Sequence, residues 1–261
     1  MVEHLVANQG MRVRFPSPAP MREGEPASES LVNGRIETID APDDSETPER
    51  NIVASFYRNP VEYETGALSE LVNNRLTGFL QASFDKLQIM DGKVLDLGCG
   101  SGLVGDALNS LPGRDFQLDG VDISKEMVEY SLREKNYSKG YVGRIEDVVP
   151  TLVERGTRYD YSVGLTSFYY LPNPEPVIQR LFELNSKGFS ISLDEITEEF
   201  IKRIHEHTGQ RVPMYNHVGW FDHLRLPDGW RIADQIYGPA WRSPRVEDEI
   251  NAEVVTLLRD Q

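Results

Sequence analysis

A strand that runs into three alternating glycines and then a helix constrains this chain more than any other feature. The segment is Val94-Leu95-Asp96-Leu97-Gly98-Cys99-Gly100-Ser101-Gly102. Its apolar start reads as a buried strand, and glycine lets a backbone turn sharply and approach a ligand with no Cβ in the way. Gly98 and Gly100 would carry the chain beneath a cofactor, and Gly102 would let the next helix begin close to the sheet. A plain strand-to-helix turn needs one glycine, so the alternation points to a ligand. Asp122 closes the next strand, Gln117-Leu118-Asp119-Gly120-Val121-Asp122. An acid about 20 residues past a glycine loop can accept hydrogen bonds from both hydroxyls of a ribose. Taken alone Asp122 would read as a turn or cap residue; after such a loop the ligand role is preferred.

The surrounding pattern is regular from residue 51 onward. Apolar residues at Leu68, Leu71, Leu76, Phe79, Leu80 and Phe84 predict one helix over 67–87. Helices are expected over 103–111, 125–135, 147–155, 175–185 and 198–207, with Ser124 as a cap. Between them lie strands over 93–97, 116–123, 140–145, 159–165 and 189–193. Strands alternating with helices at this spacing imply βαβ units and a parallel sheet covered on both faces. The segments 230–237 and 252–258 are strand-like with no crossover helix between them, so they are expected as antiparallel neighbours. Residues 1–50 differ: Pro16, Pro18, Pro20, Pro26, Pro42 and Pro48 punctuate a polar stretch without period. They are expected as a disordered tail.

Charge bounds the partners. The chain of 261 residues carries a formal net charge of −15, with no run of Lys and Arg to offset it. Phosphate backbones and anionic membrane surfaces are therefore unfavourable partners, and neither nucleic acid nor membrane is expected. The single cysteine, Cys99, allows no internal disulfide and fits a reducing compartment. No secretory signal is evident, and prolines break the helix that a transit peptide would need, so a cytoplasmic location is expected.

Gly100-Ser101-Gly102-Leu103-Val104-Gly105 also satisfies the dinucleotide fingerprint, so spacing leaves a nicotinamide oxidoreductase open. The whole run Val94 to Gly102, with Gly120-Val121-Asp122-Ile123-Ser124 after it, resembles the first two motifs of class I S-adenosylmethionine-dependent methyltransferases. In that family an acid sits inside the strand before the glycines, as Asp96 does, where dinucleotide enzymes have an apolar residue. Tyr159-Asp160-Tyr161-Ser162-Val163 resembles its fourth strand, and Leu171-Pro172-Asn173-Pro174-Glu175 and Asn185-Ser186-Lys187-Gly188-Phe189 its following helix entry and turn. The match to the small-molecule enzymes of the Williams–Beuren-region and ubiquinone-biosynthesis type is weaker. The resemblance implies an α/β, Rossmann-like doubly wound sheet of seven strands, mostly parallel, with a C-terminal antiparallel hairpin. The methyltransferase domain would span 51–261, with 51–92 as a helical lid.

Roles follow from that resemblance. Asp96, Gly98 and Gly100 would line the methionine portion of S-adenosylmethionine, with Cys99 and Gly102 in the same loop. Asp122 would hold the ribose, Ile123 and Ile145 would pack on the adenine, and Met127 would belong to the cofactor-binding set. Arg144 stands where the family often has an adenine-binding acid, and Glu146 could replace it. Thr166 and Phe168 would lie beside the sulfonium, and Phe168, Tyr169, Tyr170, Tyr57 and Tyr63 would line an acceptor pocket. S-adenosylhomocysteine (SAH) would be the product.

The sulfonium methyl is already activated, so a general base is needed only for an acceptor that must lose a proton. Asp194, Glu195, His205, His207, His217 and His223 are candidates, with His217 placed first. The motif of nucleic-acid amino methyltransferases is absent, since Thr166-Ser167-Phe168-Tyr169 occupies its place. No acidic cluster follows strand four to hold magnesium. A small-molecule acceptor is expected, in secondary metabolism, on a monomer or homodimer. A cofactor-binding protein without methyl transfer stays open beside it.

Overall fold

The computed structural model describes residues 2–5, 12–15, 35–39, 53, 57–67, 74–110, 112–243 and 245–260. Strands β1 (Val2–Leu5) and β2 (Arg12–Phe15) pair antiparallel in a ribbon of their own. All other strands form one sheet of eight. Five of its strands alternate with helices as the periodicity predicts: β4 (Asp91–Leu97), β5 (Asp115–Asp122), β6 (Lys139–Val142), β7 (Tyr159–Gly164) and β8 (Asn185–Asp194). The intervening helices are α3 (Leu103–Asn109), α4 (Lys125–Glu134), α5 (Ile145–Glu154) and α6 (Glu175–Leu184), and α7 (Glu198–Thr208) follows β8. Two long strands, β9 (Trp230–Arg242) and β10 (Glu249–Arg259), end the chain.

With β3 (Ile36–Thr38) at one edge, the strand order is β3-β6-β5-β4-β7-β8-β10-β9. Strands β3 to β8 run parallel, and β10 pairs antiparallel with both β8 and β9, the expected hairpin. Helices cover both faces, so the strands are apolar on both. Val94, Leu95 and Leu97 of β4 are fully buried. One face packs Val148, Leu152, Ile178 and Leu181 of α5 and α6 against the sheet. The other packs Leu108 and Val128 of α3 and α4 beneath α2 (Leu76–Lys86). Each such side chain withdrawn from water contributes about 1.5–3 kcal/mol. Ser124 caps α4 as expected, its Oγ accepting the Met127 N–H at 3.3 Å.

Two expectations are corrected here. The sheet has eight strands, because β3 adds itself alongside β6 from a stretch assigned to the tail; the rest of residues 1–50, apart from β1, β2 and the residues flanking β3, lies outside the described residues. Three residues are too few to show a period. Tertiary contacts fix them: Arg35 Nε donates to the Ser138 carbonyl at 2.7 Å, Glu37 pairs with Lys139 at 2.9 Å, and Ile39 is buried. The second correction concerns the helix over 67–87. Helix α1 (Pro60–Ala67) ends where that helix was to begin, and α2 starts only at Leu76. The Asn74 side chain accepts the Leu76 N–H at 3.0 Å, a local bond that competes with helix continuation. Leu68 and Leu71 lie outside the described residues, while Leu76, Leu80 and Phe84 form the buried face as expected.

The chain leaves β4 toward β5 and β6 on one side and returns to β7 and β8 on the other. The loops after β4 and β7 therefore diverge, and such a switch point opens a crevice at the carboxyl ends of the strands.

Candidate active site

The glycine loop lies at that crevice and is built to stay thin. Gly98 has φ 78° and Gly102 φ 90°, conformations that side-chain-bearing residues rarely adopt. A Cβ on Gly98 would stand 2.6 Å from the Ser167 Cβ, so the loops after β4 and β7 could not approach as they do. They are tied there, with Ser167 Oγ donating to the Leu97 carbonyl at 2.8 Å. The Val121 carbonyl at the end of β5 accepts both the Gly98 and Cys99 N–H groups at 2.8 Å. Thr166 is held at φ 56°, an uncommon conformation for a β-branched residue that costs about 1–3 kcal/mol. Its N–H donates to Ser192 Oγ at 2.9 Å.

Asp122 is oriented by the main chain. Its Oδ2 accepts the Gly100 N–H and its Oδ1 the Ser124 N–H, each at 2.9 Å. Burial pushes its carboxyl up to about 6 against the opposing pull of these N–H groups. Asp96 is wholly buried, and burial raises its carboxyl to about 7, partly offset by the Tyr137 hydroxyl that donates to Oδ2 at 2.5 Å. Its Oδ1 is buried with no hydrogen-bond partner among the described residues. An orphaned carboxylate oxygen behind a glycine loop is costly unless a donor arrives, such as the ammonium group of an amino-acid moiety.

Two cavities flank the Thr166 loop. The first, of about 190 Å³, has the loops after β4, β5 and β6 as its floor: Gly98, Gly100, Asp122, Ile123, Ile145 and Glu146 all line it. Thr166, Tyr57 and Tyr63 line it from the other side. The second, of about 420 Å³, lies between α1 and α7 and is lined by Phe200, Ile204, Met214 and Trp241. Tyr57, Tyr63, Thr166 and Tyr170 line both cavities and form the wall between them. That wall is ordered by its hydroxyls: those of Tyr57 and Tyr170 are 2.6 Å apart, and Tyr169 donates to Tyr170 at 3.4 Å. Tyr57 meets Tyr63 edge to face at 5.4 Å between centroids.

Several expected site residues lie elsewhere. Met127 is fully buried in the core and lines neither cavity. Cys99 and Gly102 shape the loop from behind: Cys99 packs against Gly120, and burial pushes its thiol well up, while Gly102 begins α3. Phe168 is fully buried beneath β4 and β7, whereas Tyr169 and Tyr170 face the second cavity. Successive residues of a 3₁₀ turn, here Phe168–Tyr170, point about 120° apart, which sequence adjacency hides. His217 lines neither cavity; its Nε2 donates to the Leu171 carbonyl at 2.8 Å, and burial lowers its pKa. Asp194 is buried and accepts from Trp241 Nε1 at 2.6 Å, while the half-buried Glu195 accepts from Tyr237 and Asn251. Tyr170 lines the second cavity as the sequence suggests, whereas Arg144 and Trp241 carry no site role in the sequence reading. Arg144, singled out there only as a departure from the family pattern, lines the first cavity and pairs with Glu146.

A glycine loop under one cavity, an oriented acid after the second strand and a terminal antiparallel hairpin together define a Rossmann-like S-adenosylmethionine-dependent methyltransferase. The chain belongs to the methyltransferase-domain family, whose sequence profile matches residues 90–235, more than half its length. That membership decides against the nicotinamide alternative. No curated protein matches the chain. Among solved structures, magnesium protoporphyrin IX methyltransferase (ChlM) from Synechocystis PCC 6803 with bound SAH is similar at a TM-score of 0.55 and 17% identity, over 81% of this chain and 100% of that one. A complex containing the Haloferax volcanii Trm112 methyltransferase activator matches at 0.55 and 16%, over 83% and 100%. A structure from work on conversion of a disulfide bond into a thioacetal group during echinomycin biosynthesis matches at 0.53 and 15%, over 81% and 93%. At these identities the likeness is one of fold.

Proposed function

We propose that the first cavity holds S-adenosylmethionine and that the second takes a small-molecule acceptor for its methyl group. The observation that carries this reading is the shared wall: Tyr57, Tyr63, Thr166 and Tyr170 belong to both cavities, so a methyl group at that wall faces both. Asp122 would receive the ribose hydroxyls on the lone pairs left by Gly100 and Ser124. Ile123 and Ile145 would flank the adenine, with Glu146 at its edge. Asp96, through its unpaired Oδ1, would offset the methionine ammonium from behind the loop.

The bound sulfonium supplies an activated methyl group, and this chain's part is to align an acceptor and keep water out. The tyrosine wall and the apolar side chains of α7 suit both tasks. Helix α1, which carries Tyr63, is taken as the lid. Among the described residues no helix is long and apolar enough to cross a membrane. With a net charge of −15 and a walled second cavity, we place the acceptor among small molecules rather than nucleic acids, and the protein in the cytoplasm. The test is SAH formation from S-adenosylmethionine in the presence of small aromatic acceptors, or of tRNA and duplex DNA. Turnover with small molecules alone supports the proposal; turnover with nucleic acid alone refutes it.

A further inference from the structure

The described lining of the second cavity offers no general base for a methyl acceptor. Among its described lining residues there is no His, Lys or Asp, and its one carboxylate, Glu62, is exposed at the mouth, where it accepts from Asn59 at 3.2 Å. Burial raises the phenols of Tyr57, Tyr63, Tyr169 and Tyr170, so none takes a proton near neutrality. Alcohols, amines, thiols and carbon acids must all shed a proton around methyl transfer. A carboxylate sheds none, being ionised at neutral pH.

The wall also has a hydrogen-bond donor left over. Tyr169 donates to Tyr170, and one proton serves the Tyr57–Tyr170 contact at 2.6 Å. With Tyr57 donating to Tyr170, the Tyr170 proton has no acceptor among the described residues and is left at the boundary of the two cavities. The Arg245 guanidinium lines the same cavity, and its positive charge reaches both hydroxyls.

Building on the function proposed above, we infer that the acceptor is a carboxylic acid, taken as its carboxylate and methylated to an ester. The hydroxyl of Tyr170 and the charge of Arg245 receive the anionic end, and the apolar side chains of Phe200, Ile204 and Met214 receive the body. In the transfer a carboxylate lone pair forms the new carbon–oxygen bond as the carbon–sulfur bond breaks. The sulfonium sulfur keeps that electron pair as a neutral thioether. One negative and one positive charge cancel, and no proton moves.

The test uses the full chain saturated with SAH, titrated by calorimetry with benzoate, trans-cinnamate and 4-phenylbutyrate and with the matching amides and alcohols. At least one acid is expected to bind ten-fold or more tightly than its amide. Arg245→Gln, which lines only the second cavity, should cut that preference at least three-fold while SAH binding stays unchanged, and Tyr170→Phe, at the wall shared with the first cavity, should cut it at least three-fold when measured at saturating SAH. Arg245 is solvent-exposed, and thermal unfolding of its variant measured alongside separates a folding defect from a lost preference. With S-adenosylmethionine the product should be a methyl ester, formed at a rate flat from pH 7 to 9. SAH binding without any acid-over-amide preference, or an ether, amine or thioether product, overturns the inference and leaves the methyltransferase standing. Failure to bind SAH at all overturns both.

Discussion

Asp122 has both its carboxylate oxygens aimed by main-chain N–H groups before any ligand arrives. Removing it in Asp122→Ala would delete charge-assisted hydrogen bonds worth about 1.5–3 kcal/mol each, a loss of SAH affinity of tenfold or more, measured by calorimetry. Because burial holds its carboxyl near 6, SAH affinity should also fall as pH drops through 6, and the Asp122→Asn variant should lose that dependence. Asp96 acts on stability with the opposite consequence. Its carboxyl is raised from 3.8 to about 7, so the folded state binds the proton more tightly than the unfolded chain does. The stability this confers is complete below about pH 4 and is lost as pH rises through 7. Thermal unfolding without ligand should therefore show Asp96→Asn gaining on the parent protein as pH goes from 5 to 8; a difference constant in pH would contradict it. Gly98→Ala combines a positive φ with a Cβ 2.6 Å from that of Ser167, and should cost about 2–4 kcal/mol in denaturant unfolding.

Helix α1, proposed above as the lid, is tied to the sheet layer by polar contacts on its side and on the segment before it. Glu64 of α1 pairs with Lys135 at 2.6 Å and accepts from the Tyr130 hydroxyl at 2.8 Å, and Ser124 Oγ donates to the Tyr57 carbonyl at 3.0 Å. Glu64→Gln should leave the unfolding temperature within a few degrees of the parent while weakening SAH binding several-fold, since Tyr63 rides on that helix. At the opposite edge, deletion of residues 1–39 would strip β3 from β6 and remove the buried Ile39, and should lower the unfolding temperature measurably. Elements of this kind divide what sequence reveals from what it hides. The alternation of β4 to α6 was legible because each segment carries its own period. β3 and the break between α1 and α2 were not, because tertiary pairing fixes the first and one Asn74 side chain marks the second. Glycine positions and Asp122 were legible because backbone geometry admits few alternatives there. Trp241 and Met214 were hidden because the second cavity forms only when α7, the segment before β9 and the end of β9 converge, and no local pattern records that meeting.

At the scale of the whole molecule, an acidic α/β protein places a thin glycine loop beneath one cavity and a tyrosine wall between that cavity and a larger one. Its sheet order opens a crevice at the β4–β7 boundary, and the loops from three neighbouring strands meet there. The central claim is that this crevice is a binding site for S-adenosylmethionine organised by Asp122. It is tested most directly by calorimetric titration of the purified protein with SAH, with NADH and NADPH in parallel, repeated on Asp122→Ala. The account predicts micromolar binding of SAH alone, lost in the variant. Binding of a nicotinamide cofactor, or SAH binding that Asp122→Ala leaves intact, would contradict it.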